Sequence, residues 1–254
     1  MDTDVQSFAV ANLRRRPVVV ETAGFVVGFD PGTTSPYINY ATPLPGAEPT
    51  AADVATLVAA FRDRGLKPRL EFAPDAAPAV EPALREAGFT REAVHEYLLC
   101  TPATLAVPQP GPGRPIVEIP STDEDFTAID EALAEAFAGE FPASAEGAAR
   151  LRRTHETGGA VRFVRSPDGR CAGGAMTSAP AVGTSELAGV GTRPDFRGQG
   201  VAAAVTAALA EAMFAGGAAS VWLEYSGEGS RRVYERVGFR PHGTRLYVSL
   251  ADPA

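Results

Sequence analysis

Hydrophobic and polar residues alternate along the chain with two periods, one typical of helices and one typical of strands. In the second half, the helical period predicts helices over residues 123–137, 146–156, 201–215 and 228–237. The remaining apolar runs predict strands over residues 116–119, 160–165, 171–179, 186–192, 221–225 and 244–250. The dipeptide Asp168-Gly169, between two of these strands, is typical of a hairpin turn. This order predicts an α/β or α+β protein whose sheet carries helices on both faces.

The first half repeats part of this pattern. The triplet "LEF" at 70–72 precedes "EAGF" at 86–89, as "LEY" at 223–225 precedes "RVGF" at 236–239. A long helical pattern comes before each triplet, and a tyrosine follows each Gly-Phe pair by eight residues. The shared order of helix, strand, short helix, Gly-Phe and strand predicts two copies of one fold.

A proline-rich segment, "PATLAVPQPGPGRP" at 102–115, separates the two copies. Proline fixes φ and removes a backbone donor, so we expect neither a helix nor a central strand there. The sequence therefore predicts a first domain over residues 1–101, a linker over 102–115 and a second domain over 116–254.

Composition excludes several classes of function. The chain has 254 residues, 45% of them hydrophobic, and a formal net charge of −8, which disfavours a broad nucleic-acid surface. Cys100 and Cys171 lie far apart and outside any metal-ligand spacing, so we expect buried structural thiols and no metal. The N-terminus lacks a signal-like region and no apolar run approaches 18 residues, which predicts a cytoplasmic protein without a membrane segment.

The segment "TRPDFRGQGVAAAV" at 192–205 is the strongest candidate for chemistry. A helix that begins near Gly200 leaves its first amide N–H groups without partners, and those donors favour an anion. Glycine lets the backbone approach a ligand closely, and Arg197 adds a two-pronged cation. This junction therefore predicts a phosphate or pyrophosphate site.

Two families use such a junction, and one of them is the dinucleotide-binding enzymes. Gly198, Gly200 and Ala203 fit the pattern G-x-G-x-x-A, and Glu224 ends the next strand, where a ribose-binding acid is expected. A dinucleotide domain, however, opens with this unit and continues into further parallel strands. Here the motif follows an antiparallel hairpin and little chain remains after it, so this alternative fits less well.

The junction and the residues after it resemble the GCN5-related N-acetyltransferases, whose signature is R/Q-x-x-G-x-G/A after a proline. A tyrosine on a short helix and a Gly-Phe pair follow it in that family. The matching positions here are Pro194, Arg197, Gly200, Ala202, Tyr234, Gly238 and Phe239. The resemblance covers residues 116–250 in element order. It implies two tandem acyl-CoA N-acyltransferase-like domains, each a mixed, mostly antiparallel twisted sheet flanked by helices.

The resemblance also implies that acetyl-CoA is the acyl donor. Its pantetheine arm would pair with the main chain of Val190, Gly191 and Thr192. Its pyrophosphate would lie on the backbone of Arg197, Gly198, Gln199, Gly200, Val201 and Ala202. Many relatives carry an asparagine where this chain has Gly227, and Ser226 beside it is the expected substitute.

Acyl transfer to an amine requires a neutral amine, a stabilised oxyanion and a proton for the departing thiolate. By the resemblance, Tyr234 gives that proton. Glu186 is the candidate base or substrate ligand, directly or through water, and Glu224 is its rival. Phe137 and Glu140 lie where the acceptor enters in the family. The acceptor itself is specified only as an amine of a small molecule or peptide.

The first copy lacks these features. Leu84 takes the place of Tyr234, the arginine is absent, and Pro45 and Pro49 remove amide donors. We therefore expect a degenerate first domain and a single active site, in a monomer whose repeat imitates a dimer or in a homodimer. A non-catalytic acyl-CoA-binding or regulatory module is the principal alternative, and a dinucleotide-dependent enzyme is the third.

Overall fold

The computed structural model describes residues 2–108, 113–140 and 142–251. Its helices are α1 (Asp2–Leu13), α2 (Ala51–Arg62), α3 (Val80–Glu86), α4 (Asp123–Ala136), α5 (Ala145–Glu156), α6 (Val201–Ala215) and α7 (Gly227–Arg236). Its strands are β1 (Val18–Thr22), β2 (Phe25–Phe29), β3 (Tyr40–Pro43), β4 (Arg69–Phe72), β5 (Thr90–Cys100), β6 (Val117–Glu118), β7 (Ala160–Arg165), β8 (Cys171–Thr177), β9 (Thr184–Thr192), β10 (Ser220–Glu224) and β11 (Arg240–Ser249). The predicted elements of the second half are all present, with ends shifted by a few residues.

The chain folds into two compact units, the first formed by residues 1–97 with 242–254 and the second by residues 98–241. In the first unit, the strand order is β1-β2-β3-β4-β11-β5. The pairs β1–β2 and β2–β3 are antiparallel, and β3–β4 is parallel because α2 crosses between these two strands. Apolar residues of α2, namely Val54, Leu57 and Phe61, are buried against this sheet.

The second unit has the strand order β10-β9-β8-β7-β6. Its pairs β7–β8 and β8–β9 are antiparallel and β10–β9 is parallel, so the first unit's order of pairing occurs again. Val161 and Phe163 pack with α4 and α5, whereas Ala160 and Val164 pack with α6. Alternate residues of β7 are thus buried on opposite faces of the sheet. Helices cover both faces, as the sequence predicts.

Two strands, β5 and β11, run across the boundaries between the compact units. The last strand, β11, pairs with β4 of the first unit, with Leu246 opposite Phe72 and Val248 opposite Leu70. Leu98 and Cys100, at the end of β5, belong to the core of the second unit. The sequence halves that meet at the proline-rich segment therefore differ from the compact units: β11 from residue 242 onwards lies in the first unit, and residues 98–100 of β5 lie in the second.

The proline-rich segment contains no helix or strand within its described residues, 102–108 and 113–115. The remainder of this predicted linker lies outside the described residues. Within the described ranges, none of the helices combines the length and the apolar character needed to cross a bilayer.

Candidate active site

A cleft of about 560 Å³ opens in the second unit where the end of β9 meets the first turn of α6. The last turn of α4 and one side of α7 form its other walls. Predicted cofactor-binding residues that line it are Val190, Gly191, Thr192, Arg197, Gly198, Gly200, Val201 and Ala202. The sequence motif therefore lies at a cavity large enough for a ligand.

The strands β9 and β10 separate at one side of this cleft. Their ladder ends where Glu186 pairs with Trp222, although β9 continues to Thr192 and β10 continues to Glu224. A bulge in β9 accompanies the separation, because three steps of β9, from Ala188 to Gly191, oppose two steps of β8. Gly189 has φ +64° within this segment, a conformation that favours glycine. The fork leaves an edge of β9 available to a ligand.

The first turn of α6 supplies a row of unsatisfied donors. Gly200 is the N-cap residue with φ +84°, and it provides no side-chain cap. Among the described residues, the amides of residues 198–203 donate no hydrogen bond, and the first bonded amide is that of Ala204, which donates to the Gly200 carbonyl. Unsatisfied amides at the positive end of a helix are suited to hydrogen-bond an anion.

Arg197 links this junction to α4. Its Nη2 donates to the carbonyl of Ala136 at 3.1 Å and its Nε to the carbonyl of Thr192 at 3.4 Å. The arginine thus holds the last turn of α4 beside β9, where Phe137 lines the cleft. Phe137 is 37% exposed, whereas Phe126 and Ile129 of α4 are buried. Glu140 is exposed on the next loop and does not line the cleft.

Tyr234 lies on α7 and packs into the core of the second unit with Val237 and Phe239. The residue is 7% exposed, and burial raises the pKa of its phenol to about 12. No hydrogen bond from the described residues contributes to this shift of the pKa. Ser230 and Val233 of the same helix line the cleft, whereas Tyr234 is behind its wall.

The two candidate carboxylates lie on the other face of the sheet from Tyr234. Val221 and Leu223 share the core of Tyr234, so the alternate residues Trp222 and Glu224 face the opposite side. Glu186 pairs directly with Trp222 and shares its face. Neither carboxylate lines the cleft, but Glu186 stands at the last paired position, where the fork opens between the two faces.

Two predicted cofactor residues lie away from the cleft wall. Gln199 donates from Nε2 to the Asp195 carbonyl at 3.2 Å and lines a neighbouring groove. Ser226 is the N-cap residue of α7, and its side chain makes no capping hydrogen bond. Residues lining the cleft that sequence reasoning missed are Ala136, Phe196, Ala203, Gly229, Ser230, Val233 and Arg236. The three-residue spacing of Ser230, Val233 and Arg236 is the signal that marks one face of α7.

Both cysteines are buried free thiols, as expected, and burial raises the pKa of Cys171 to about 11. Thiols held protonated in this way are poor nucleophiles. Within the described residues, no group of three or more His, Cys, Asp or Glu side chains could hold a metal ion.

Comparison with known proteins finds a family model that matches part of the chain and solved structures that share its fold. Residues 126–239 match the family model described as the acetyltransferase (GNAT) family. A GCN5-related N-acetyltransferase from Kribbella flavida has 24% sequence identity, and the match covers 100% of this chain and 96% of that chain with a TM-score of 0.84. A GCN5-related N-acetyltransferase from Sphaerobacter thermophilus has 18% identity, with 89% and 76% covered and a TM-score of 0.63.

A tandem GNAT protein from the clavulanic acid biosynthesis pathway has 14% identity, with 100% of this chain and 88% of that chain covered and a TM-score of 0.63. No match was found among curated proteins. The segment 126–239 thus matches the acetyltransferase (GNAT) family model, and the chain has the fold of GCN5-related N-acetyltransferases.

Proposed function

We propose that this protein is an N-acetyltransferase that uses acetyl-CoA and acetylates an amine of a small molecule or peptide in a ternary complex. The observation that carries the proposal is the row of unsatisfied amides, residues 198–203, next to the open edge of β9. A ligand with an anionic diphosphate and an extended, amide-bearing arm satisfies both features together. Acetyl-CoA has these two parts and carries the acetyl group at the end of the arm.

The donor would bind in two sections. The pyrophosphate accepts hydrogen bonds from the first turn of α6, and Arg197 contributes its charge. The pantetheine amides then pair with the edge of β9 over residues 190–192, as another strand would. This path directs the thioester to the fork that begins at Glu186 and Trp222.

The bulge in β9 would stabilise the reaction intermediate. A bulge leaves an extra residue out of the ladder, and we propose that a backbone N–H near Gly189 and Val190 donates to the thioester oxygen. A fixed N–H donor at the developing oxyanion acts without reorganisation, and such donors contribute about 3–4 kcal/mol to a transition state.

The chemical step then moves two protons. The amine nitrogen attacks the thioester carbon, and the C–S bond breaks as the C–N bond is completed. Glu186, directly or through water, takes the proton that the amine loses, and Tyr234 gives a proton to the departing thiolate. With a pKa of about 12, the phenol is protonated at neutral pH and serves as a donor. The products are an N-acetyl amide and free CoA.

One observation favours a second candidate, a module that binds acyl-CoA without catalysis. Tyr234, Glu186 and Glu224 all lie outside the wall of the cleft. The enzyme would release free CoA thiol when it is given acetyl-CoA and a panel of amines, whereas the binding module would not. Sedimentation would distinguish the proposed monomer from a homodimer.

The test is acetyl-CoA binding by two variants, Gly198→Val and Gly217→Val. These glycines flank α6, have φ of +78° and +91°, and have no atom within 4 Å of an added Cβ, so both substitutions strain the backbone similarly. Only Gly198 lies at the proposed pyrophosphate site. We expect acetyl-CoA at about 100 times its Kd to stabilise the wild type and Gly217→Val by roughly 2.7 kcal/mol, and Gly198→Val far less.

Equal stabilisation of the two variants would remove the pyrophosphate site from residues 198–203. Stabilisation of the wild type by NAD and not by acetyl-CoA would replace the whole proposal with a dinucleotide enzyme. Binding of acetyl-CoA with no release of CoA thiol in the presence of any amine would favour the second candidate, a module that binds acyl-CoA without catalysis.

A further inference from the structure

The first unit contains a fork like that of the second unit. The parallel pair β3–β4 has one registered pair, Ala41 with Leu70, although β3 continues to Pro43 and β4 to Phe72. The pair β3–β4 has the same position in the order of pairing of the first unit as β9–β10 has in the second, so the two forks correspond. Backbone groups on both sides of such a gap need partners other than each other.

The side chain of Gln6 fills this gap from α1. Its Nε2 donates to the Pro43 carbonyl at 2.6 Å and to Thr42 Oγ1 at 2.8 Å, and its Oε1 accepts from the Ala73 amide at 2.9 Å. Thr42 Oγ1 in turn donates to the Glu71 carbonyl at 2.8 Å. Gln6 is 1% exposed. A single carboxamide therefore bridges the end of β3 and the residue after β4, with all its hydrogen bonds made inside the unit.

The N-terminus of α2, the helix that follows β3, is capped by side chains of the protein itself. Asp53 accepts from the Thr50 amide at 2.8 Å and from Thr50 Oγ1 at 2.6 Å, and Thr50 Oγ1 accepts from the Asp53 amide at 3.3 Å. The carboxylate occupies the positive end of α2, where an anionic ligand would bind. In α6 the same end carries no side-chain cap.

We propose that Gln6 and Asp53 are internal substitutes for a ligand in the first unit. The carboxamide takes the place of an amide-bearing arm in the strand gap, and the carboxylate takes the place of an anion at the helix. The identity of the replaced ligand, acetyl-CoA, rests on the function proposed above. The first unit consequently has no open site for acetyl-CoA, because the Gln6 side chain of α1 fills the gap between β3 and β4. Each chain therefore binds one acetyl-CoA.

The substitution Gln6→Ala tests this assignment. It removes a fragment equivalent to acetamide, and alanine keeps the propensity of α1 for helix. The Pro43 carbonyl and the Ala73 amide lose the partner that Gln6 provides, and Thr42 Oγ1 loses one of its two, so the Tm falls by roughly 4–10 °C. Acetamide at high millimolar concentration should raise the Tm of Gln6→Ala by more than that of the wild type. Acetone has the same shape without N–H donors and should not.

Exposed Gln199 provides the matched control, since Gln199→Ala should lose little stability and show no differential response to acetamide. Equal responses of Gln6→Ala to acetamide and acetone, or of Gln6→Ala and Gln199→Ala to acetamide, would overturn the proposal. If Gln6→Ala does not fold, Gln6→Asn and Gln6→Glu replace it. The amide variant should then be more stable than the acid, and the reverse order would contradict the assignment.

Calorimetric titration of the wild type with acetyl-CoA gives an independent measure. One site per chain agrees with a closed first unit, and two sites would refute it. A complete absence of acetyl-CoA binding would defeat the proposed function alone, because the amide experiments do not use the cofactor.

Discussion

Thr50 and Asp53 cap each other at the start of α2, whereas the same N-cap and N3 positions of α6 hold Gly200 and Ala203. The hydrogen bonds from Thr50, first from its side chain and then from its backbone, lower the pKa of Asp53. The carboxylate is therefore ionised at the helix end. One helix carries its own anion, and the other presents unsatisfied amides to a cleft.

This contrast predicts the effect of Ala203→Asp. A carboxylate at N3 of α6 should stabilise the helix by about 0.3–1 kcal/mol, because it neutralises the positive end. The same carboxylate should repel the pyrophosphate and weaken acetyl-CoA binding by roughly 10–100-fold, the equivalent of one charge-assisted hydrogen bond. Calorimetry and thermal unfolding would measure both effects. Ala203→Asn is the uncharged control and should retain more affinity; similar affinities for the two variants would contradict the charge argument.

Tyr234→Phe should separate catalysis from binding. Loss of a proton donor should lower kcat by roughly 10²–10⁴-fold, with the Kd of acetyl-CoA nearly unchanged because Tyr234 is behind the cleft wall. With a pKa of about 12, the phenol should add no basic limb to the wild-type profile of kcat below pH 10. Tyr37→Phe, on an exposed tyrosine, is the control. An unchanged kcat would remove Tyr234 from the mechanism.

Glu186→Gln and Glu224→Gln should differ although the two residues share a face of the sheet. Glu186 ends the β9–β10 ladder at the fork, so its loss should lower kcat and remove the acidic limb of the profile of kcat/KM. Glu224→Gln should preserve that limb. Stopped assays of thiol release over pH 5–9 would compare them. The opposite result would transfer the role of base to Glu224.

Acid should destabilise the first unit through Glu92. Burial alone would raise the pKa of Glu92, but hydrogen bonds from Ser249, Arg69 and Lys67 lower it to about 2. The folded pKa is thus below the ordinary value of 4.5, so this stabilisation is present above pH 4.5 and is lost as the pH falls towards 2. We expect a contribution of about 1 kcal/mol after solvent screening. Urea unfolding of the wild type and Glu92→Gln at pH 7 and pH 3 would measure it, and parallel pH dependence of the two proteins would contradict it.

The sequence predicts local features well because their causes are local. The glycines and the arginine around residue 200 specify an open helix end by their own conformational and charge preferences. The repeated order of helix, strand, short helix and Gly-Phe likewise follows from periodicity. These signals predict the family fold and the majority of the cleft residues.

Features that depend on distant partners could not be predicted in this way. The pattern of β11 is the same whether it pairs in one unit or the other, so periodicity does not reveal its pairing with β4. Tyr234 occupies the motif position of a proton donor, but packing decides that it is behind the cleft wall. In the sequence Gln6 is an ordinary helix residue. Only the folded structure shows that its side chain lies at the gap between β3 and β4.

The pairing of β11 with β4 has a consequence for how the protein is made. Residues 242–249 complete the sheet of the first unit, yet they leave the ribosome after the whole of the second unit. At about 5–20 residues per second, synthesis of residues 98–241 takes roughly 7–29 s. Throughout that interval β4 of the nascent first unit lacks its partner strand, so the sheet of the first unit cannot be completed until residues 242–249 have been synthesised.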